Sequence, residues 1–96
     1  MTEIVDDSFY ARADAHINLS NEQLNDVGIG KVSASMMYSV ARFNAWVSAR
    51  GFESASDMSA ARNETIDYFL IQYREMLKDN LDDYIANFEK YMRAKP

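Results

Sequence analysis

Along the C-terminal third of the chain the apolar residues recur at intervals of eleven. Ile66, Leu77 and Phe88 form one row, Leu70, Leu81 and Met92 a second, Tyr73 and Tyr84 a third, and Phe69 leads to Tyr91 through a polar Asn80. Eleven residues in three turns is about 3.67 per turn, close enough to the natural helix that one face stays aligned with little supercoiling. The pattern predicts a long, nearly straight helix from about Ser56 to Met92. One local signal opposes it. Asp79-Asn80 followed by Asp82-Asp83 reads as an N-cap with acids in a first turn, just after Lys78 in what would be a last turn. The apolar phase runs on across Asn80, which favours a continuous or gently bent helix; a break there would create a fourth helix folding back on the others.

The upstream pattern predicts two more helices. Helix 1 should start near Asp6, Asp7 or Ser8, where short polar side chains can accept free backbone N–H groups. Its apolar arc holds Phe9, Tyr10, Ala13, Ile17, Ser20 and Leu24 at helical spacing. It should stop in NDVGIG, with Asn25, Gly28 or Gly30 taking the left-handed conformation that turns the chain. Helix 2, from about Lys31 to Arg50 with Gly51 as its C-cap, is apolar on two sides. Val32, Met36, Ser39, Val40, Phe43, Trp46 and Val47 share one arc, and Ala34, Tyr38, Ala41, Ala45 and Ala49 the other. A helix apolar nearly all round is normally sandwiched, which makes it the expected centre of the domain. Between Phe52 and Ser59 lies a linker carrying a helix-start signal, Ser54-x-x-Asp57, a weak variant of the capping box. The sole proline is Pro96, so none interrupts a helix, and residues 1–5 are expected to fray.

These elements predict an all-α fold: a three- or four-helix bundle with a long C-terminal helix, forming a single domain over residues 1–96. The lengths carry a consequence. A helix of roughly 35 residues spans on the order of 50 Å, whereas helices 1 and 2 would each cover about 25 to 30 Å. Leu77, Leu81, Tyr84, Ile85, Phe88 and Tyr91 would then overhang without cover, and an apolar patch of that size normally marks an interface. A second copy supplying the same helix antiparallel is the simplest closure, so a homodimer is expected.

Composition narrows the functional classes. Ninety-six residues with 48% hydrophobic content suffice for one small core. Fifteen acidic residues against ten basic ones give a net charge of -5 that repels phosphate backbones, and the cations are scattered, so nucleic acid is not an expected partner. The absence of cysteine removes disulfides, thiolate nucleophiles and thiolate metal sites. MTEIVDDSFY has neither a basic nor an apolar signal region, and the run from Val32 to Ala49 is too short and polar to span a bilayer. A cytoplasmic location without membrane attachment is the expectation.

The segments RADAHINLSNEQ, KVSASMMYSVARFNAW and above all NLDDYIANFEKYM resemble a set of short proteobacterial proteins catalogued only as a domain of unknown function. The resemblance covers nearly the whole chain. It implies a compact intracellular all-helical domain, and it supplies no activity and no binding residue.

Candidate chemistry is sparse. His16, the lone histidine, lacks the E-x-x-H or H-x-x-x-H spacing of a metal site, and a packing role is the simpler reading. Arg42 is the one charge in the interior of helix 2. It is either a snorkelling side chain or the anion contact of an apolar ligand site. Glu75, Asp79, Asp82 and Asp83 line a straight helix, which cannot converge the six to eight oxygens calcium takes, so a solvated acidic face is expected. Met36, Met37, Met58, Met76 and Met92 fit a core better than an adaptable pocket. With three glycines there is no phosphate loop or nucleophile elbow. The reading from residues is therefore a non-enzymatic, homo-oligomeric helical interaction or scaffold module without catalytic residues, metal or cofactor. The alternative is a small-ligand binder with Arg42 receiving a carboxylate or phosphate.

Overall fold

Every regular element between residues 5 and 93, the range described by the computed structural model, is an α-helix. In chain order these are α1 (Phe9–Gln23), α2 (Ile29–Ala49), α3 (Ala55–Ala60), α4 (Arg62–Ala86) and α5 (Phe88–Met92). The all-α expectation holds. The count of helical segments exceeds the expected three or four because the C-terminal run is interrupted at Ala61 and at Asn87, where the backbone leaves helical geometry. It is not interrupted at Asn80. There the side-chain amide donates back to the Met76 carbonyl at 2.8 Å, satisfying a backbone acceptor one turn earlier and leaving no N-cap. The fraying expected of residues 1–5 falls, apart from Val5, outside the described residues.

Two compact units divide the chain, residues 1–47 and 48–96. In the first, Ser8 occupies the N-cap position of α1 without a side-chain capping bond. Asp6 does the local work instead, accepting the Ser8 backbone N–H at 3.2 Å and a fork from the Arg12 guanidinium at 3.0 and 3.5 Å. The expected left-handed stop after α1 is absent: no described residue, glycine or otherwise, has a positive φ. Leu24 stays right-handed and its N–H bonds the carbonyls of Asn21 and Glu22, so the helix unwinds through tight turns without a glycine hinge. Gly51 likewise closes α2 without left-handed geometry, its N–H reaching Ser48 at 3.0 Å. Along α2, Val32 is the one buried residue of the described range, at 6% exposure, and Met36 beside it receives the Ser20 hydroxyl on its sulfur at 3.4 Å. Further along the same arc Phe43, Trp46 and Val47 are exposed, as are Ala34, Tyr38 and Ala41 opposite. The two-sided covering expected of α2 is thus not met within this unit.

In the second unit Ser54 caps α3 as its spacing predicts. Its hydroxyl oxygen accepts the Asp57 N–H at 3.1 Å, and Asp57 sits in the first turn where negative charge suits the dipole. α4 then runs for 25 residues, about 37 Å at 1.5 Å per residue. Its apolar rows stand largely exposed, with Phe69 the half-covered exception. Among the described residues no helix is long and apolar enough to cross a membrane.

Candidate functional site

The six residues expected to form an interface fall on α4 and α5. Leu77, Leu81, Tyr84 and Ile85 are on α4, and Phe88 and Tyr91 follow on α5; all six are between 42% and 73% exposed. Helical spacing places Leu77, Leu81 and Tyr84 on one stripe, with Ile85 at its margin. The break at Asn87 does not scatter them. Tyr84 and Tyr91 meet with ring centroids 4.8 Å apart at an interplanar angle of 60°, a tilted aromatic pair that joins α5 to the stripe of α4.

A carboxylate holds that junction. Asp83 accepts the Asn87 side-chain amide at 2.9 Å and the Tyr91 hydroxyl at 3.1 and 3.3 Å, while the same Asn87 amide also reaches the Asp83 carbonyl at 3.0 Å. The bond to Asp83 raises the Tyr91 pKa above its ordinary 10.0, because ionising the phenol would forfeit the donated hydrogen bond and set two anions side by side. The sequence reading had Asp83 on a solvated acidic face and Tyr91 in an apolar row. The spacing of Asp83, Asn87 and Tyr91, each four residues after the last, was the signal that links them on one side of the helix.

Arg42 lies in the first unit, on an open depression of about 430 Å³ lined by Tyr38, Ser39, Arg42, Phe43 and Trp46. All five come from α2. They are the residues four before, three before, one after and four after Arg42, so the feature is a face of one helix with aromatic walls. Arg42 forms no hydrogen bond or ion pair with another described residue. His16 is exposed on α1 and is not among the lining residues. The sequence singles out Arg42 and not its aromatic flank, whose residues look like core until their exposure is known.

The carboxylates of α4 are spread along the helix. Asp82 pairs with Lys78 at 3.5 Å, Asp83 is engaged as above, and Glu75 and Asp79 make no ion pair or hydrogen bond with a described residue. Among the described residues no group of three or more metal-ligating side chains converges.

A family profile described as "Protein of unknown function (DUF3144)" matches residues 9–85. The chain is also similar to a protein from Shewanella sp. solved by NMR and titled NB7890A. The two are 41% identical, the match covers 95% of this chain and 97% of the other, and the TM-score is 0.77. No curated protein matches the chain.

Proposed function

Because the chain belongs to the DUF3144 family of proteins of unknown function, no activity passes to it by descent, and we propose from its own surface that it is a non-enzymatic, homo-oligomeric helical interaction module. One observation supports this most: the stripe Leu77, Leu81, Tyr84, Ile85, Phe88 and Tyr91 is 42% to 73% exposed on a helix whose opposite side carries the charges. Apolar side chains left in water forgo roughly 25 cal/mol for each Å² that could be covered, so six large ones in a row favour association strongly. The occupant is a second copy, since a twofold axis brings an apolar stripe against the same stripe of its partner. In that assembly the helices complete a bundle, each single chain contributing one domain, and the setting is the cytoplasm.

Sedimentation and light scattering on the full chain test this. The wild type should run as a dimer at micromolar concentration, and Leu81→Asp should shift it toward monomer. A monomeric wild type whose mass and solubility Leu81→Asp leaves unchanged would sink the reading. A monomer destabilised by the same change would instead mean that the chain's own first unit covers the stripe.

A second reading has the support of Arg42 between Tyr38 and Trp46, an arrangement suited to an amphipathic carboxylate or phosphate. Against it, a depression built from one helix cannot enclose a small ligand in the way ligand sites normally do. A thermal-shift panel of fatty acids and anionic metabolites should show no rise in stability that Arg42→Met abolishes; such a rise would favour this reading.

A further inference from the structure

The openness of the Arg42 face, unhelpful for a small ligand, suits a protein partner. From Val27 to Phe52 the chain has no acidic residue and three basic ones, Lys31, Arg42 and Arg50, although its net charge is -5. Lys31 and Arg42 stand eleven residues apart on α2, three turns and about 16 Å at 1.5 Å per residue, so they share one line along the helix. Tyr38 lies between them and Trp46 one turn beyond Arg42. Both cations are exposed, and neither forms an ion pair with a described residue. Tyr38, Phe43 and Trp46 are 54% to 68% exposed, and Tyr, Trp and Arg are the residue types that dominate the energetics of protein interfaces. Val32 and Met36, buried and half-buried, lie further round the helix, so this line is turned away from the contact with Ser20 on α1.

We propose that this face of α2 receives an amphipathic helix of another protein, apolar on the side it lays against Tyr38, Phe43 and Trp46 and carrying carboxylates three turns apart that meet Lys31 and Arg42. Charge selects the occupant. A cation covered by a partner must meet a carboxylate, because an uncompensated charge out of water is costly. A second copy offering the same face across a twofold axis would set cations against cations. An anionic lipid surface or a nucleic acid would be repelled by the net charge of -5. The partner is helical because the side of a helix has no free backbone N–H or C=O to pair with an extended strand, whereas a helix satisfies its own. Ser35, Ser39 and Ala45, small side chains among the aromatic ones, let it approach closely. The proposal goes beyond the homo-oligomeric reading: it uses α2 and leaves the stripe of α4 and α5 to the second copy.

Trp46 is the sole tryptophan, so its fluorescence reports occupancy of this face directly. The full chain is titrated with a synthetic, tryptophan-free amphipathic peptide of about five turns, apolar along one face with glutamates eleven residues apart. Its binding should give a saturable blue shift of the Trp46 emission. Lys31→Glu/Arg42→Glu should bind that peptide at least about tenfold more weakly and should accept instead the same peptide with lysines in place of the glutamates. Arg42→Gln, which removes the charge without reversing it, should weaken binding by less than Arg42→Glu, and far-UV circular dichroism checks that each variant stays helical. Leu81→Asp, on the stripe assigned to self-association, should leave the peptide affinity unchanged. Peptide binding by a wild type that is monomeric would remove the homo-oligomeric reading and leave this one standing. No shift up to about 1 mM peptide, or equal affinity of the wild type for the lysine peptide, would overturn the inference. So would a shift produced by phosphatidylglycerol vesicles and not by the peptide, which would make the occupant a lipid surface. A Trp46 emission that moves to the red as the wild-type mass falls on dilution would place a second copy on this face and overturn it as well.

Discussion

Asp83 shows how one residue can serve three local demands. Its carbonyl accepts the Asn87 backbone N–H that closes α4, and its carboxylate receives the Asn87 amide at the break and the Tyr91 hydroxyl across two turns. The raised pKa of Tyr91 makes this measurable. A group whose folded pKa lies above its unfolded value stabilises the fold fully below the unfolded value and loses that contribution as pH climbs through the raised one. Tyr91 should therefore titrate by NMR above 10.0, and Asp83→Asn should bring its midpoint down, while neutral pH leaves the contact intact. An unchanged midpoint would show that the hydroxyl is not held by Asp83. Asp6 runs the other way. The Arg12 fork lowers its carboxyl below the ordinary 3.8, so its contribution is present above that value and disappears as pH falls through the lowered one. Arg12→Gln should move the Asp6 midpoint back up toward 3.8; because the pair is exposed, acid stability should change little.

At the scale of elements, the helix starts and stops follow local chemistry that a sequence displays unevenly. Ser54 was legible as a cap, since a hydroxyl three residues before an acid in a first turn has few other uses. Ser54→Ala should cost about 1 kcal/mol, read as a lower thermal midpoint, and Ser54→Asp should largely restore it. Asn80 was legible only as a conflict. Asparagine can accept amides at a helix start or donate to the carbonyl four residues back, and the unbroken apolar phase around it decided for the second. The break at Asn87 was not legible, because the same asparagine chemistry stands there and the apolar rows pass it without a gap: Phe88 and Tyr91 keep their phase. The stop after α1 was misread for another reason. Two glycines and an asparagine invite a left-handed turn, yet tight right-handed turns through Leu24 to Asp26 close the helix without one. The Arg42 site was half legible. A charge inside an apolar helix stands out, but its aromatic flank is hidden among residues that look like core until their exposure is known.

For the whole molecule, the governing fact is that apolar side chains expected to be covered are in water along both α2 and α4. Spacing reports which residues want cover and cannot report what supplies it, since a second copy and a second helix of the same chain leave the same pattern. That is why residues that want cover could be named from the sequence while what covers them could not. The homo-oligomeric account puts Leu77, Leu81, Tyr84, Ile85, Phe88 and Tyr91 against a second chain. Its central claim is tested most directly by the mass of the wild-type chain in solution across a concentration series. Sedimentation equilibrium should return about 22 kDa at micromolar concentration, twice the 11.0 kDa chain, and fall toward the single-chain mass on dilution or on substitution of Leu81 by Asp. A mass of 11.0 kDa at every concentration, unaltered by Leu81→Asp, would contradict it.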